Sequence, residues 1–421
     1  MIKPEVVEFF KTHCDSRGIP NIKSADWQEF ITLHEKDDIR DSLAEYVHVN
    51  KIPFPSKQMD REEVKRLFTD FYFRSHSGQC RDFNDVKERH EYKYKYHDKP
   101  LGVIDKSHFY NDVSDYFQQE NRMKCGSSSF SSPMETWNDQ KKLSKMNWTF
   151  WRKGVMDDDD LDEQAFRGAF RLGLYTATQF RPSAAKTIYE IHRAKNVLDT
   201  SCGWGDRLAG FYSTQCTELY VGCDPNPDVF EVYKKQCVFY EEALGSKPML
   251  KSCPNYFECI GKKTVKIWNL PSEDVDWTQY SDTFDMYFTS PPYFETEKYA
   301  IDTDRVSDQS WSRYNSFDRW KHDFFFKVTE LVWPTIKKDG YMMINIIEPR
   351  TKASTRHLLC DDMVDHFIEF PDSNYVGKIG LRMMARPDAT ELTDVYIEPI
   401  WVFRKGNDTY PKSTGLSAFF D

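Results

Sequence analysis

Apolar positions recur at helical spacing over the first part of the chain, then give way to strand and helix patterns in alternation. Up to about residue 75 the pattern is amphipathic. "DWQEFITLHEKDDIRDSLAEYVHV" and "DREEVKRLFTDFYF" each keep one apolar stripe, and the second opens on an Asp cap with glutamates in its first turn. Between 76 and 135 the pattern loosens. "EYKYKYH" alternates Tyr with Lys, which as a strand puts Tyr92, Tyr94 and Tyr96 on one face and Lys93 and Lys95 on the other. Such a strand either packs its Tyr face on the body or serves as a ribbon that stacks bases and meets phosphates. The Ser-rich "CGSSSFSSPMET" predicts a flexible loop or linker.

From about residue 160 the grammar is different. "DEQAFRGAFRLGLYTA" and "RPSAAKTIYEIHRA" read as helices, the latter with Pro182 in its opening turn. "NVLDTSCGWGDRLAGFYST" reads as strand, glycine turn and helix, and "ELYVGCDPNPDVFEVYKKQCVFYEEAL" repeats that order. "TVKIW", "FDMYFT", "GYMMINII" and "EPIWVFRK" are further strands, with a helix at "FDRWKHDFFFKVTELVWPTI". Strands alternating with helices predict an α/β domain, with a mostly parallel sheet covered on both faces. The expected division is a mainly helical region over 1–150 and an α/β domain over 160–421.

At 421 residues, one large or two moderate domains are expected, and 39% hydrophobic with 29% charged residues suits a globular core. No basic segment followed by an apolar one opens the chain. No apolar run approaches the roughly 18 residues of a membrane span. The 10 cysteines contain no CxxC pair and no histidines at zinc spacing, so reduced thiols, a cytoplasmic setting and no metal are expected. A net charge of −10 argues against a protein that coats nucleic acid non-specifically, though not against a local basic groove. The run Asp157-Asp158-Asp159-Asp160 reads as a solvated linker or helix start.

In a doubly wound sheet ligands bind beyond the carboxyl ends of the strands. The unusual loops all fall there. The first strand ends in Asp199-Thr200-Ser201-Cys202-Gly203-Trp204-Gly205, whose glycines let the backbone turn sharply and come close to a ligand, or simply make a tight turn into the helix. Asp224 at the second strand's tip either accepts both hydroxyls of a ribose or caps the next helix. It follows Gly203 at about the 20-residue spacing of a nucleoside-binding unit. Glu273 and Asp274 after the third strand either receive an adenine amine or start a helix. The fourth strand stops at Ser290-Pro291-Pro292-Tyr293, where two prolines fix two φ angles and remove two donors.

The order "LDTSCGWG", "GCDPNP", "PSED" and "TSPPYF" resembles the S-adenosylmethionine-dependent methyltransferases that act on exocyclic amines of nucleic-acid bases, the DNA N4-cytosine and N6-adenine enzymes. Their hallmark is [Asp/Asn/Ser]-Pro-Pro-[Tyr/Phe/Trp] after strand four, and the likeness spans about 178–405. It implies a Rossmann-like, seven-stranded sheet with an antiparallel last strand. It also implies a cofactor site built by Asp199, Ser201, Gly203, Gly205, Asp224, Glu273 and Asp274. Phe180 and Pro182 would close over that site from "TQFRPSAAKTIYE". Ser290, Pro291, Pro292 and Tyr293 would be catalytic. An exocyclic amine is a poor nucleophile because its lone pair is delocalised into the ring. The Ser290 hydroxyl and the Pro291 carbonyl would accept its N–H groups, and Tyr293 would stack the base, worth about 1–3 kcal/mol. A duplex base would have to be flipped out to reach them.

Ser in this position is commoner among cytosine enzymes and Asp or Asn among adenine enzymes, so the base stays open with a lean to cytosine. Phe294, Trp311, Arg313 and Tyr314 are expected to meet the substrate, the last three from a loop (295–320, with Arg305) that closes over it or simply connects to the next helix. DNA is the expected partner, with no membrane. RNA, or an inactive nucleic-acid-binding module on the same fold, are the alternatives. A nicotinamide-dependent oxidoreductase would need a third glycine where Leu208 stands. Residues 1–150, with Arg74, Arg81 and Arg89, are a candidate target-recognition region.

Overall fold

The computed structural model describes residues 2–81, 94–96, 100–151, 159–352, 355–383 and 397–406. They form two compact units, Met1–Met59 with Gln119–Thr178, and Asp60–Gln118 with Gln179–Asp421. This differs from a division near 150–160, because residues 60–118 belong with the sheet and 119–178 with the amino-terminal helices.

The first unit is helical. Helices Pro4–Thr12, Ser24–Leu33 and Lys36–Val49 share a core with Pro133–Asn138, Gln140–Met146 and Glu163–Gly173. Trp137 stands edge-on to Phe166 and Phe54 stacks on Phe170, so aromatic residues from both segments fill one interior. The Ser-rich stretch is not simply a linker: the Ser132 hydroxyl caps Pro133–Asn138 by accepting from the Glu135 N–H at 3.0 Å. Of the acidic run, 157–158 lie outside the described residues, and Asp160 pairs with Lys23 at 2.6 Å.

The second unit is built on a sheet that has eleven strands among the described residues, rather than seven. In chain order they are β1 (Cys80–Arg81), β2 (Pro100–Ile104), β3 (Asn196–Asp199), β4 (Leu219–Cys223), β5 (Met249–Cys253), β6 (Tyr256–Ile260), β7 (Thr264–Trp268), β8 (Phe284–Thr289), β9 (Ile336–Asn345), β10 (Ser373–Arg382) and β11 (Ile397–Lys405). Across the sheet the order is β1-β2-β10-β11-β9-β8-β3-β4-β7-β6-β5. Strands β7, β4, β3, β8 and β9 run parallel, and β11 lies antiparallel between β9 and β10. The chain winds outward from β3 through β4 to β7, then returns to β8 on the other side of β3. That reversal is the switch point of a Rossmann-like sheet.

The extra strands lie at the edges, where the β5–β6 hairpin extends one side and β1–β2 the other. All five residues of β5 are exposed, so it lacks the buried alternation that marks an inner strand. The helix Arg61–Phe73 is capped by Asp60 and buries Val64, Phe68 and Phe71. In "EYKYKYH", residues 91–93 and 97 lie outside the described residues, and the rest is a turn rather than an alternating ribbon. The buried Tyr94 ring stands edge-on to Trp401, and the Lys95 ammonium meets Asp365 at 2.8 Å.

Candidate active site

Asp199 ends β3 fully buried. Its carboxylate accepts Arg207 Nε at 2.7 Å and Nη2 at 3.2 Å, the Tyr220 hydroxyl at 2.6 Å, the Thr289 hydroxyl at 3.0 Å and the Ser201 N–H at 3.2 Å. With its acceptors so engaged, Asp199 ties the end of β3 to Tyr220 of β4 and to the end of β8 instead of facing a ligand, which corrects its expected place among the cofactor contacts. Burial alone would lower the Arg207 pKa, but the Asp199 charge and hydrogen bonds hold it above the ordinary value.

The turn that follows needs its glycines. Gly203 and Gly205 sit at φ +57° and +69°, and a Cβ on Gly205 would come within 2.5 Å of Gln236 Oε1. Gly205→Ala should therefore destabilise the fold by about 1–3 kcal/mol from backbone strain alone, read as a lowered urea midpoint.

Asp224 follows β4. One carboxylate oxygen accepts the Gly203 N–H at 2.9 Å and the other the Asn226 N–H at 3.0 Å, which joins the tips of β3 and β4. The helix after it is capped by Asn226, whose side chain accepts from the Asp228 N–H at 3.1 Å, so Asp224 is not the cap. Each Asp224 oxygen keeps a further lone pair for a ligand hydroxyl. Burial pushes its pKa up from the ordinary 3.8 to about 6, against the two backbone N–H bonds that pull it down. The ionised form therefore costs the fold stability above about pH 6, and that cost fades as the pH falls below 6 toward 3.8. Affinity for a ligand whose hydroxyls donate to this carboxylate should weaken as pH drops through about 6. Titration calorimetry across pH 5–8 would show it, and Asp224→Asn should flatten the profile.

Glu273 and Asp274 form a short 3₁₀ turn after β7. Arg313 reaches both, at 3.1 Å and 2.8 Å, and the Tyr314 hydroxyl donates to Glu273 Oε1 at 2.7 Å. Glu273 Oε2 is buried and has no partner among the described residues, and burial raises the Glu273 pKa.

Phe180 lies against this corner. Its ring faces the Arg207 guanidinium at 5.4 Å, and its N–H donates to Asp206 at 3.2 Å. Asp206, which the sequence reading missed, also takes the Gln179 side chain at 3.1 Å and so holds the segment ahead of Pro182. Pro182 is buried at the start of Pro182–Ile191.

The Ser290-Pro291-Pro292-Tyr293 turn begins one residue after Thr289. Pro291 is buried, while Ser290, Pro292 and Tyr293 are partly exposed. The Ser290 hydroxyl lies 3.4 Å from Asn345 Oδ1, and the Tyr293 hydroxyl donates to the Asn345 carbonyl at 3.2 Å. Asn345 ends β9 as the last polar residue of an apolar run, and sequence alone did not single it out. Phe294, expected to meet substrate, is instead 4% exposed at φ +51°, packed against Phe317, Trp320 and His357.

The loop after the socket points elsewhere than expected. Arg313 and Tyr314 are engaged by the acidic turn at 273–274, and Arg305 donates to the Asn269 carbonyl at 2.8 Å. Trp311 donates its ring N–H to the Tyr299 carbonyl at 3.2 Å under the Lys298 ammonium. The loop thus packs beside the segment that follows β7. Arg74 and Arg81 are paired with Asp70 and Asp105, and Arg89 lies outside the described residues.

No family model matches the chain, and no curated protein matches it. Among solved structures it is similar to Trm1 from Pyrococcus horikoshii in complex with S-adenosyl-L-methionine, at 14% identity over 55% of this chain and 57% of that one, with a TM-score of 0.33. It is also similar to 1,6-didemethyltoxoflavin-N1-methyltransferase from Burkholderia thailandensis with bound S-adenosylhomocysteine, at 14% identity over 54% and 78%, with a TM-score of 0.32. A methyltransferase from Pyrococcus furiosus gives 11% identity over 54% and 83%, with a TM-score of 0.30. Likenesses this distant carry no weight of their own; the chain's strand order and its loops do.

Proposed function

We propose that the chain is an S-adenosylmethionine-dependent methyltransferase acting on an exocyclic amine of a base, cytosine N4 or adenine N6, in DNA. The observation that carries this reading is the Ser290-Pro291-Pro292-Tyr293 socket at the carboxyl end of β8, next to the switch point. Thr289, just ahead of it, is hydrogen-bonded to the Asp199 brace behind the glycine turn.

The residues on the β3, β4 and β7 side fit the cofactor. Asp224 keeps free lone pairs for ribose hydroxyls, the left-handed glycines let the backbone approach closely, and the orphaned Glu273 Oε2 suits an adenine amine. When bound, S-adenosylmethionine supplies an electrophilic methyl group. The chain's part is positional: the Ser290 hydroxyl and Pro291 carbonyl accept hydrogen bonds from the amine N–H groups, and the Tyr293 ring holds the base plane. Orientation of this kind accounts for up to about 7–11 kcal/mol of a barrier.

The test is labelled S-adenosylmethionine with unmethylated DNA and RNA, followed by nucleoside mass analysis. N4-methylcytosine or N6-methyladenine in DNA is the expected product. Label confined to RNA would move the substrate to that polymer. No label in either, with cofactor still bound, would overturn base methylation.

A further inference from the structure

We propose that Asn345 is a positioning residue that fixes the Ser290 hydroxyl as a hydrogen-bond acceptor toward the substrate amine. This rests on the methyltransferase reading of the socket and names what sets its polarity.

Asn345 is 3% exposed at the end of β9. Its Nδ2 donates to the Pro399 carbonyl at 3.1 Å, near the start of neighbouring β11. That bond orients the amide, because a carbonyl can only accept and so selects the NH₂ edge. Oδ1 must then face the socket. Two hydroxyls meet it there, Ser290 at 3.4 Å and Tyr293 at 3.5 Å, and Tyr293 also reaches the Asn345 main-chain carbonyl at 3.2 Å.

The consequence for Ser290 is chemical. A free hydroxyl rotates, and it can either accept an amine N–H or donate its own proton to the amine lone pair. The second state would tie up the electron pair that attacks. With its proton directed to Oδ1, Ser290 presents only lone pairs to the amine. The Tyr293 hydroxyl is likewise tethered, which fixes the ring plane and leaves Tyr293 a platform instead of an acid or base.

The experiment is a double-mutant cycle in the full-length protein, measuring kcat and KM with the polymer found to be methylated, and the Kd for S-adenosylhomocysteine. Asn345→Ala and Ser290→Ala should each lower kcat by about tenfold or more, the scale of one lost transition-state hydrogen bond. The Kd should stay within about twofold. The double variant should be no worse than the weaker single one, because the two changes remove the same interaction. Asn345→Asp keeps an acceptor for both hydroxyls and should stay within about fivefold of wild type in kcat, which separates positioning from mere support of Pro399. It also serves if Asn345→Ala fails to fold. Additive losses, unchanged kcat in Asn345→Ala, or an inactive Asn345→Asp that still binds cofactor would overturn the proposal. A wild-type protein that methylates neither polymer would overturn the reading beneath it as well.

Discussion

Arg207→Met should destabilise the second unit by about 3–5 kcal/mol, the cost of removing one partner from a buried ion pair. Methionine keeps most of the side chain's length but leaves the Asp199 carboxylate, at 0% exposure, with only the Tyr220 and Thr289 hydroxyls and one backbone N–H. These neutral donors do not balance a full charge out of water. The same guanidinium also donates to the Ser201 carbonyl and lies over the Phe180 ring, so the glycine turn should loosen with it. Urea unfolding without cofactor reads the loss as a lowered midpoint. Asp199→Leu on top of Arg207→Met should recover part of it, since the stranded charge is then gone. A single-variant loss under about 1 kcal/mol would show that the pair is not the brace it is taken for.

Pro291→Ala combined with Tyr293→Ala should reduce methyl transfer by about 10²-fold or more while leaving S-adenosylhomocysteine binding within about threefold. Losing the stacking ring alone is worth about 1–3 kcal/mol. Releasing the first proline's φ frees the strand-end carbonyl from its fixed direction. The cofactor contacts proposed here belong to β3, β4 and β7, whereas both substitutions follow β8. Calorimetry for binding and labelled transfer for turnover separate the two effects. Activity retained within threefold would reject the socket as the reaction site, and a parallel loss of binding would place it in the cofactor site instead.

The inner strands could be read from the sequence because their residues are buried on regular patterns: β3, β4, β7, β8, β9 and β11 all fall on the expected runs. The missed strands have physical reasons. β10 (SNYVGKIGLR) is interrupted by two glycines and two cations, and β5 is an exposed edge with no face to bury. Near the candidate site, the glycine turn and the end of the strand at the two prolines were legible because they depend on local backbone geometry. The role of Asp199 was not, since it depends on Arg207 in the next helix, Tyr220 on the next strand and Thr289 on a distant one. Arg313 and Tyr314 were expected to meet substrate, and the structure instead pairs them with the acidic turn after β7. Their partners, Glu273 and Asp274, precede them by some forty residues, and no local pattern announces such a pairing.

The interleaved connectivity of the two units sets a schedule for synthesis. Helices Pro4–Thr12, Ser24–Leu33 and Lys36–Val49 are made before Trp137, Phe166 and Phe170, which complete their core. Between Met59 and Thr178 about 120 residues must still be made, roughly 6–24 s at ordinary translation speeds. For that interval the apolar faces that these helices bury in the finished unit have no partner from the second segment. The same wiring decides where the chain can be cut. A truncation at residue 150 removes Phe71 and Tyr72, whose carbonyls receive the buried Lys186 ammonium, and strands Phe166 and Phe170 without the helices they pack on. Neither fragment would inherit a finished interior.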